Sequence, residues 1–447
     1  MKLRIFLLCL LVSAGGLLAQ AWPALAEDQT INEDELFSGG DTVVSQEKVV
    51  NDNTGEELKE NHIGFSGQFA AETFYINFNP DYDWTGLGGQ DQDLLANQIA
   101  ADFFLDVRLK QGVKGFLSFN STYYPALTGA QKSLMGLPAD TKSYTAYTVN
   151  EFFIDTNLNN RVYFRTGKQL LKWGAGYFWN PTDLINIDKK DFSDLEKIRE
   201  GTYGEKVQLP FGTRKNVYFF VGMNEASTLD NVSLAGKYEF LVGNTEMSVS
   251  AVARKGFKPV YGYDFSGRLG DVDVRGEVAL MPGGNQRTMN YDTLTLEDET
   301  GDWNPRVSLG FTKFFDLGNY KDRINLTGEF FYNAAGYNQN ILSKLAGNPG
   351  AKPNFLSVYQ PFMNSRYYLA VFSSVAKFLI PELTLNINAL SNLVDHSARL
   401  TTGVTYKPAI TNLTIDFHVD TNLGDENTEA TFGGDRYTVF LGTKVLF

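Results

Sequence analysis

Apolar and polar residues alternate one by one in many short segments between residue 63 and the end of the chain. In the segment 271–281 the even positions are apolar or glycine, and positions 273, 275 and 277 carry Asp, Arg and Glu. The segment near 410 repeats the pattern, with Asp416 and Asp420 opposite an apolar face. A period of two places successive side chains on opposite faces of a strand. The pattern therefore predicts strands with one apolar and one charged face.

Short connections alternate with long ones along the chain. The short ones, such as Gln111-Gly112 and Val242-Gly243-Asn244, contain the residues that tight turns need. The long ones are polar, and the segment 173–201 after the strand at 160–172 is one of them. Counting the strands gives about 18, with a range of 16–18, and ~10 residues suffice to cross a bilayer at a tilt. The sequence predicts an all-β, transmembrane, antiparallel up-and-down barrel over 63–447, with short periplasmic turns and long extracellular loops.

The charged faces of these strands must avoid lipid, because a charge on the lipid face at mid-bilayer costs ~2–4 kcal/mol. A soluble β-sandwich with outward charges fits the period equally, but the strand count and the regular order of turns and loops favour the barrel. A lumen wall of mixed sign is then expected, as in a hydrated diffusion pore and unlike a filter selective for one ion type. Its predicted members are Glu151, Arg165, Gln169, Arg275, Glu277, Arg306, Glu329 and Asp416.

The chain ends on phenylalanine, Phe447, after a segment whose alternate residues are mostly apolar. This ending resembles the closing strand of bacterial outer-membrane β-barrels. In that family the terminal phenylalanine is part of the signal that the barrel-assembly machinery reads. The resemblance implies that Phe447 serves the same purpose and that this machinery is a partner.

The first 62 residues differ from the rest. Lys2 and Arg4 precede an apolar stretch and an Ala24-Leu25-Ala26 cleavage site, which predicts a signal peptide over 1–26 and export to the outer membrane of a Gram-negative bacterium. Residues 27–62 are acidic and without period, which predicts a flexible periplasmic segment. The apolar pair Leu36-Phe37 leaves a second hypothesis open, a docking peptide or partial plug of the barrel.

Composition excludes several kinds of chemistry. Formal net charge is −13, so nucleic-acid binding is not expected. The single cysteine, Cys9, lies in the predicted leader, which excludes thiolate catalysis and cysteine-ligated metals in the mature chain. His418 between Asp416 and Asp420 could in principle bind a metal or polarise water, but a polar lumen stripe explains it more simply. His396 with Ser397 lacks the flanking signature of a barrel phospholipase. We expect no enzyme activity, no metal and no cofactor.

One motif lies in the segment that follows residue 160. It combines Arg165-x-Gly167-x-Gln169, Trp173-Gly174 and Asn180-Pro181-x-Asp183. Over about 40 residues it resembles a stretch of alginate-export-type and related large porin-like channel families. The resemblance implies a loop that can fold inward and narrow the pore, with a charged constriction formed by Asp183, Asp188, Lys189, Lys190 and Asp191. Alternatively, the loop covers the rim, and its aromatic residues join the outer girdle; these are Trp173, Tyr177, Phe178 and Trp179.

The sequence thus predicts a porin or solute channel that passes small hydrophilic solutes by diffusion through a charged lumen narrowed by the loop 173–201. A barrel sheath around a periplasmic partner, such as an electron-conduit cytochrome or an export complex, is the alternative. Expected partners are outer-membrane lipid and lipopolysaccharide, and a homo-oligomer is possible. The sequence leaves open which solute passes.

Overall fold

The computed structural model describes residues 62–79, 93–109, 112–127, 129–171, 173–186, 190, 192, 198–224, 226, 228–301, 303–318, 320–409 and 412–447. The strands are β1 (His62–Phe78), β2 (Asp93–Leu109), β3 (Val113–Tyr124), β4 (Tyr144–Leu158), β5 (Val162–Gln169), β6 (Thr202–Pro210), β7 (Lys215–Gly222), β8 (Ser233–Val242), β9 (Thr245–Arg254), β10 (Val260–Leu269), β11 (Val272–Pro282), β12 (Arg287–Met289), β13 (Leu296–Asp298), β14 (Trp303–Leu317), β15 (Tyr320–Asn333), β16 (Tyr367–Val375), β17 (Leu383–Asn392), β18 (Ser397–Tyr406), β19 (Leu413–Leu423) and β20 (Asp435–Leu446). The helices are α1 (Gly129–Leu134), α2 (Ile341–Ala346) and α3 (Lys352–Leu356), with short 3₁₀ turns at Leu229–Asn231 and Pro349–Ala351. None of these helices is long and apolar enough to span a membrane.

Eighteen of the strands form one antiparallel sheet that closes on itself. Each strand of the sheet pairs with the next along the chain, and β1 also pairs with β20, from Gln68 opposite Leu446 to Phe78 opposite Asp435. The two remaining strands, β12 and β13, form a hairpin in the loop between β11 and β14. The prediction of a closed antiparallel barrel with 18 strands is confirmed.

The two faces of this sheet differ as the alternation predicts. Large apolar side chains such as Ile63, Phe152 and Phe219 are exposed on the outer face, with Ile63 at 69%. Charged side chains such as Glu277 and Glu329 point the other way and are 1% exposed. An apolar outer band around a polar interior is the arrangement that a lipid environment stabilises.

The start of the barrel and the end of β5 differ from their predicted positions. β1 begins at His62, one residue early, and the predicted signal peptide and the acidic segment up to residue 61 lie outside the described residues. β5 ends at Gln169, not at residue 172. Beyond it, the Leu170 N–H donates to Glu151 Oε1 at 2.8 Å and the Leu171 N–H to Asn186 Oδ1 at 3.0 Å. These amides bond to side chains, so the chain leaves the sheet.

The seam between β1 and β20 involves the last residue of the chain. The Phe447 backbone N–H and C=O both bond to Gly67, at 3.0 Å each. Its ring stacks on Phe69 with centroids 5.0 Å apart and lies 6.0 Å from Phe65 and 6.3 Å from Phe103. The terminal phenylalanine thus also helps to close the barrel.

Deleting Phe447 should impair assembly in cells more than its burial energy suggests. Burial of one phenylalanine contributes only ~1.5–3 kcal/mol, so refolding into detergent micelles should be close to normal. In cells we expect little heat-modifiable barrel in the outer membrane, because recognition by the assembly machinery is lost. Phe447→Tyr, which keeps an aromatic end, is the matched control. Normal membrane levels of the truncated chain would contradict the role of Phe447 as an assembly signal.

Candidate functional site

The segment after β5 folds into the barrel and lies along its inner wall. Near its start, Trp173 packs in a cluster with Leu171, Phe220 and Ala235, so it contacts β7 and β8. Further on, Leu184 packs against side chains of β10 and β11. Trp179 reaches β15 and β16, where its ring stacks on Phe331 at 5.4 Å and lies 5.9 Å from Tyr368. We call residues 170–171 and 173–186 the inner loop.

The aromatic residues of the inner loop lie inside the barrel, which corrects the alternative that placed them in an outer girdle. Trp179 is 2% exposed, and its indole N–H donates to the Phe362 carbonyl at 2.9 Å. Tyr177 lies 4.9 Å from Phe372, and Phe178 packs beside Trp179. Trp173 is also buried. An aromatic side chain with one polar atom suits an interface and a buried cluster equally, so composition alone could not separate the two positions.

Glu277 on β11 holds the middle of the inner loop. Its carboxylate accepts hydrogen bonds from the backbone N–H of Gly176, from the Thr182 N–H at 3.0 Å and from the Thr182 hydroxyl at 2.7 Å. The Asn180 side chain donates to the same group at 3.3 Å. Gly174 has a φ of +93°, and a Cβ there would lie 2.5 Å from a Glu277 carboxylate oxygen. The close approach therefore requires glycine at this position.

Glu329 on β15 holds the adjacent turn of the same loop. Three successive backbone N–H groups donate to its carboxylate, those of Tyr177 at 2.7 Å, Phe178 at 3.1 Å and Trp179 at 2.6 Å. The Ser308 hydroxyl adds a fourth hydrogen bond at 3.0 Å. Consecutive N–H groups pointing at one anion form a nest, and bonds to an ionised acceptor are the stronger kind. The two carboxylates thus fix the inner loop to the wall.

Two of the five predicted constriction residues are described and bond within the loop. Asp183 is 5% exposed, accepts from Asn186 Nδ2 at 2.8 Å, and lies 3.7 Å from the Arg199 guanidinium. Lys190 donates to the carbonyls of Gly176 and Tyr177 at 2.9 and 2.6 Å. Both side chains therefore stabilise the loop conformation. The other three, Asp188, Lys189 and Asp191, lie outside the described residues.

The eight residues predicted for the lumen wall all lie on the inward face, and several are held in place by neighbours. Glu151 accepts the Leu170 N–H. Arg165 makes two bonds to Asp155, at 2.6 and 2.8 Å. Arg306 donates to Gln286 at 2.6 Å. Gln169 is fully buried, and Arg275, Glu277, Glu329 and Asp416 share the same face by strand register.

Some partners in these contacts are not among the predicted site residues. Asp155 faces Arg165 across the turn Leu158-Asn159-Asn160, a cross-strand pairing that counting outward from the turn could have found. Asn186 and Thr182, by contrast, lie in a loop without period and gave no signal.

His418 lies on a wall strand and His396 in a turn. His418 stacks on Phe440 at 4.4 Å and lies 3.9 Å from Asp420. Within the described ranges, no group of three metal-ligating side chains converges. His396 occupies a turn with φ of +61°.

Three loops at the same end of the barrel pack together around a further apolar cluster. We call it the cap cluster; its buried members are Met289, Ile341, Leu342, Leu345, Phe355 and Phe432. They belong to the loops 283–301, 334–366 and 424–434. The sequence, which suggested only polar loops here, gave no indication of this cluster.

Glu429 connects the cap cluster to the wall. Its buried carboxylate accepts from the Phe362 N–H at 2.8 Å, the Tyr368 hydroxyl at 2.8 Å and the Asn392 side chain at 2.7 Å. The Tyr359 hydroxyl donates at 3.2 Å. Burial raises the pKa of Glu429 to about 7; the Tyr368 hydrogen bond opposes this rise and the charge of Asp395 adds to it.

The packing of the cap loops should therefore depend on pH. A carboxyl whose pKa rises from 4.5 to about 7 on folding stabilises the packed loops fully below pH 4.5 and loses this contribution, about 3 kcal/mol, as pH rises through about 7. Amide exchange of the three loops, corrected for the intrinsic pH effect, should show less protection at pH 8 than at pH 5. Glu429→Gln should remove the dependence, and Glu426→Gln, at an exposed position of the same loop, should retain it. An unchanged dependence in Glu429→Gln would contradict this role.

Comparisons with known proteins establish the fold of the chain. No family model and no curated protein matches it. Among solved structures, a BenF-like porin from Pseudomonas fluorescens Pf-5 aligns with a TM-score of 0.54 at 11% identity, covering 86% of this chain and 98% of the other. Pseudomonas aeruginosa OccK9 (OpdG) and OccK8 (OprE) align with TM-scores of 0.53 and 0.51, at 10% and 11% identity and the same coverage. The resemblance to alginate-export-type families gains no support. The chain has the 18-stranded barrel fold of these bacterial proteins.

Proposed function

We propose that this chain is an outer-membrane channel through which small hydrophilic solutes diffuse. One observation carries the proposal: a closed barrel of 18 strands holds its own loop against a charged inner wall. A barrel of this width encloses more space than inward side chains fill. The described loop narrows that space from the side of β7 to β16, and solutes would pass along the polar wall beside it.

The wall chemistry supports hydrophilic solutes. Inward carboxylates and guanidinium groups occur together, and pairs such as Arg399–Asp420 at 3.0 Å balance charge locally. A wall of this kind attracts water and favours neither sign strongly. Diffusion along it needs no cofactor and no chemical step. The fold match to a BenF-like porin agrees with this proposal.

The location follows from the same features. The apolar outer face suits the outer membrane, where bacterial barrels of this kind lie. Export would use the leader over 1–26, and insertion would use the assembly machinery acting on the strand that ends at Phe447.

The sheath alternative is not supported. A sheath needs a lumen free for its partner, but the inner loop occupies lumen space from β7 round to β16.

Purified protein should form stable open channels in planar bilayers. Liposomes that contain it should swell in small sugars or amino acids, because the polar lumen passes uncharged and charged solutes. Heat-modifiable migration on a gel shows that the barrel is folded. If such protein gives neither conductance nor swelling, the proposed channel function is wrong.

Substitution of Glu329 should release part of the inner loop from the wall and widen the channel. Glu329→Ala removes the acceptor of three loop N–H groups, and each bond to a charged group contributes ~1.5–3 kcal/mol. We expect larger and noisier single-channel currents, with a smaller effect in Glu329→Gln. Asp416→Asn is the matched control, because Asp416 shares the inward face and has no bond to the loop among the described residues. If Glu329→Ala gives currents identical to wild type, the contact at Glu329 does not determine the width of the pore.

A further inference from the structure

The outer face of the barrel carries a carboxyl group in an apolar setting. On β6, Thr202 and Gly204 point inward and are buried, whereas Tyr203 points outward and is 46% exposed. Glu205 therefore also points outward. It lies opposite Thr166 of β5 and Val221 of β7. Its neighbours on the outer face include Val207 and Phe219.

Other outward charges in the described strands have simpler explanations. Asp93, Lys168 and Lys215 lie at or next to the end of a strand. Lys313 pairs with Asp271 of a rim turn at 3.1 Å. Glu205 is the fourth residue of the nine in β6 and has no hydrogen bond or ion pair with a described residue. Lipid chains offer a carboxyl no hydrogen-bond partner, whether it is charged or protonated.

The barrel wall is also shortest at β5, β6 and β7. β5, β6 and β7 have 8, 9 and 8 residues, against 17 in β1 and β2. Eight tilted residues rise ~20 Å, less than the ~25 Å apolar band of such barrels. A short apolar wall is accommodated by thinning the bilayer or by oligomerisation.

We propose that the outer faces of β5, β6 and β7 form the contact between copies of this chain in the membrane, with Glu205 bonded to Thr166 of the partner subunit. Symmetry about an axis normal to the membrane brings residues of equal depth together. Thr166 and Glu205 are register partners, so they lie at similar depth, and Thr166 is exposed. The patch therefore contains both a hydroxyl donor and its acceptor, and a second copy satisfies both. This contact is independent of conduction through each barrel.

Mass measurement in mild detergent tests the contact. Wild-type protein should have the mass of at least two chains, and Glu205→Leu should shift to the mass of one while remaining heat-modifiable. Glu205→Gln, whose amide still bonds to a hydroxyl, should remain associated. Wild-type protein at the mass of a single chain would overturn the proposal, as would association of Glu205→Leu equal to wild type.

Crosslinking in native membranes gives a second test that does not depend on the folding of Glu205→Leu. The only cysteine of the chain is Cys9, so an introduced cysteine reacts alone once the leader is removed. With a short bismaleimide, Val207→Cys should give a two-chain product, because Val207 lies on the same outward face of β6 and the variant keeps both Thr166 and Glu205. Thr402→Cys, at an exposed outward threonine on β18, should give none. Equal products from both variants, or a Val207→Cys product that contains only a different protein, would overturn the proposal.

Discussion

The candidate site depends on two buried carboxylates that bind backbone N–H groups. Glu277 projects from β11 and Glu329 from β15, with β14 between them in the wall. Together they receive N–H groups from residues 176–179 and 182 of the inner loop. A buried carboxylate is costly unless several donors satisfy it. The loop supplies those donors, so the charge and the loop conformation stabilise each other. Without this mutual satisfaction, neither the buried charges nor the inward path of the loop would be favourable.

The barrel explains why such anchors exist. Alternation places every second side chain inside, and closure of 18 strands leaves these polar groups facing a wide lumen. Some pair along the wall, as Arg165 does with Asp155. Others bind loops that fold back, as Glu329 does at the inner loop. Tyr368 and Asn392 of the wall likewise bind Glu429 of a cap loop. The polar face therefore both hydrates the lumen and organises what enters it.

Strand periodicity made the barrel predictable. Strands that alternate with a period of two and carry charges on one face can span a lipid bilayer in few folds other than a closed barrel. The path of the inner loop was open, since Trp179 suits either side of the wall. Its anchors are more than 90 residues distant in sequence, 101 from Gly176 to Glu277, and no local pattern encodes such contacts. The contacts of Glu429 are also distant in sequence, since Phe362 is 67 residues away and Tyr368 is 61. Asp183 bonds to Asn186, only three residues away, but its segment has no period that fixes where a side chain points.

We infer that the inner loop narrows an otherwise wide channel. Exclusion of graded polyethylene glycols from the open channel measures its width directly. We expect a small size cut-off for wild-type protein and a clearly larger one after residues 174–186 are replaced by a short glycine-serine link. The same cut-off in both proteins would show that the barrel wall alone sets the width, which would contradict a narrowing by the loop.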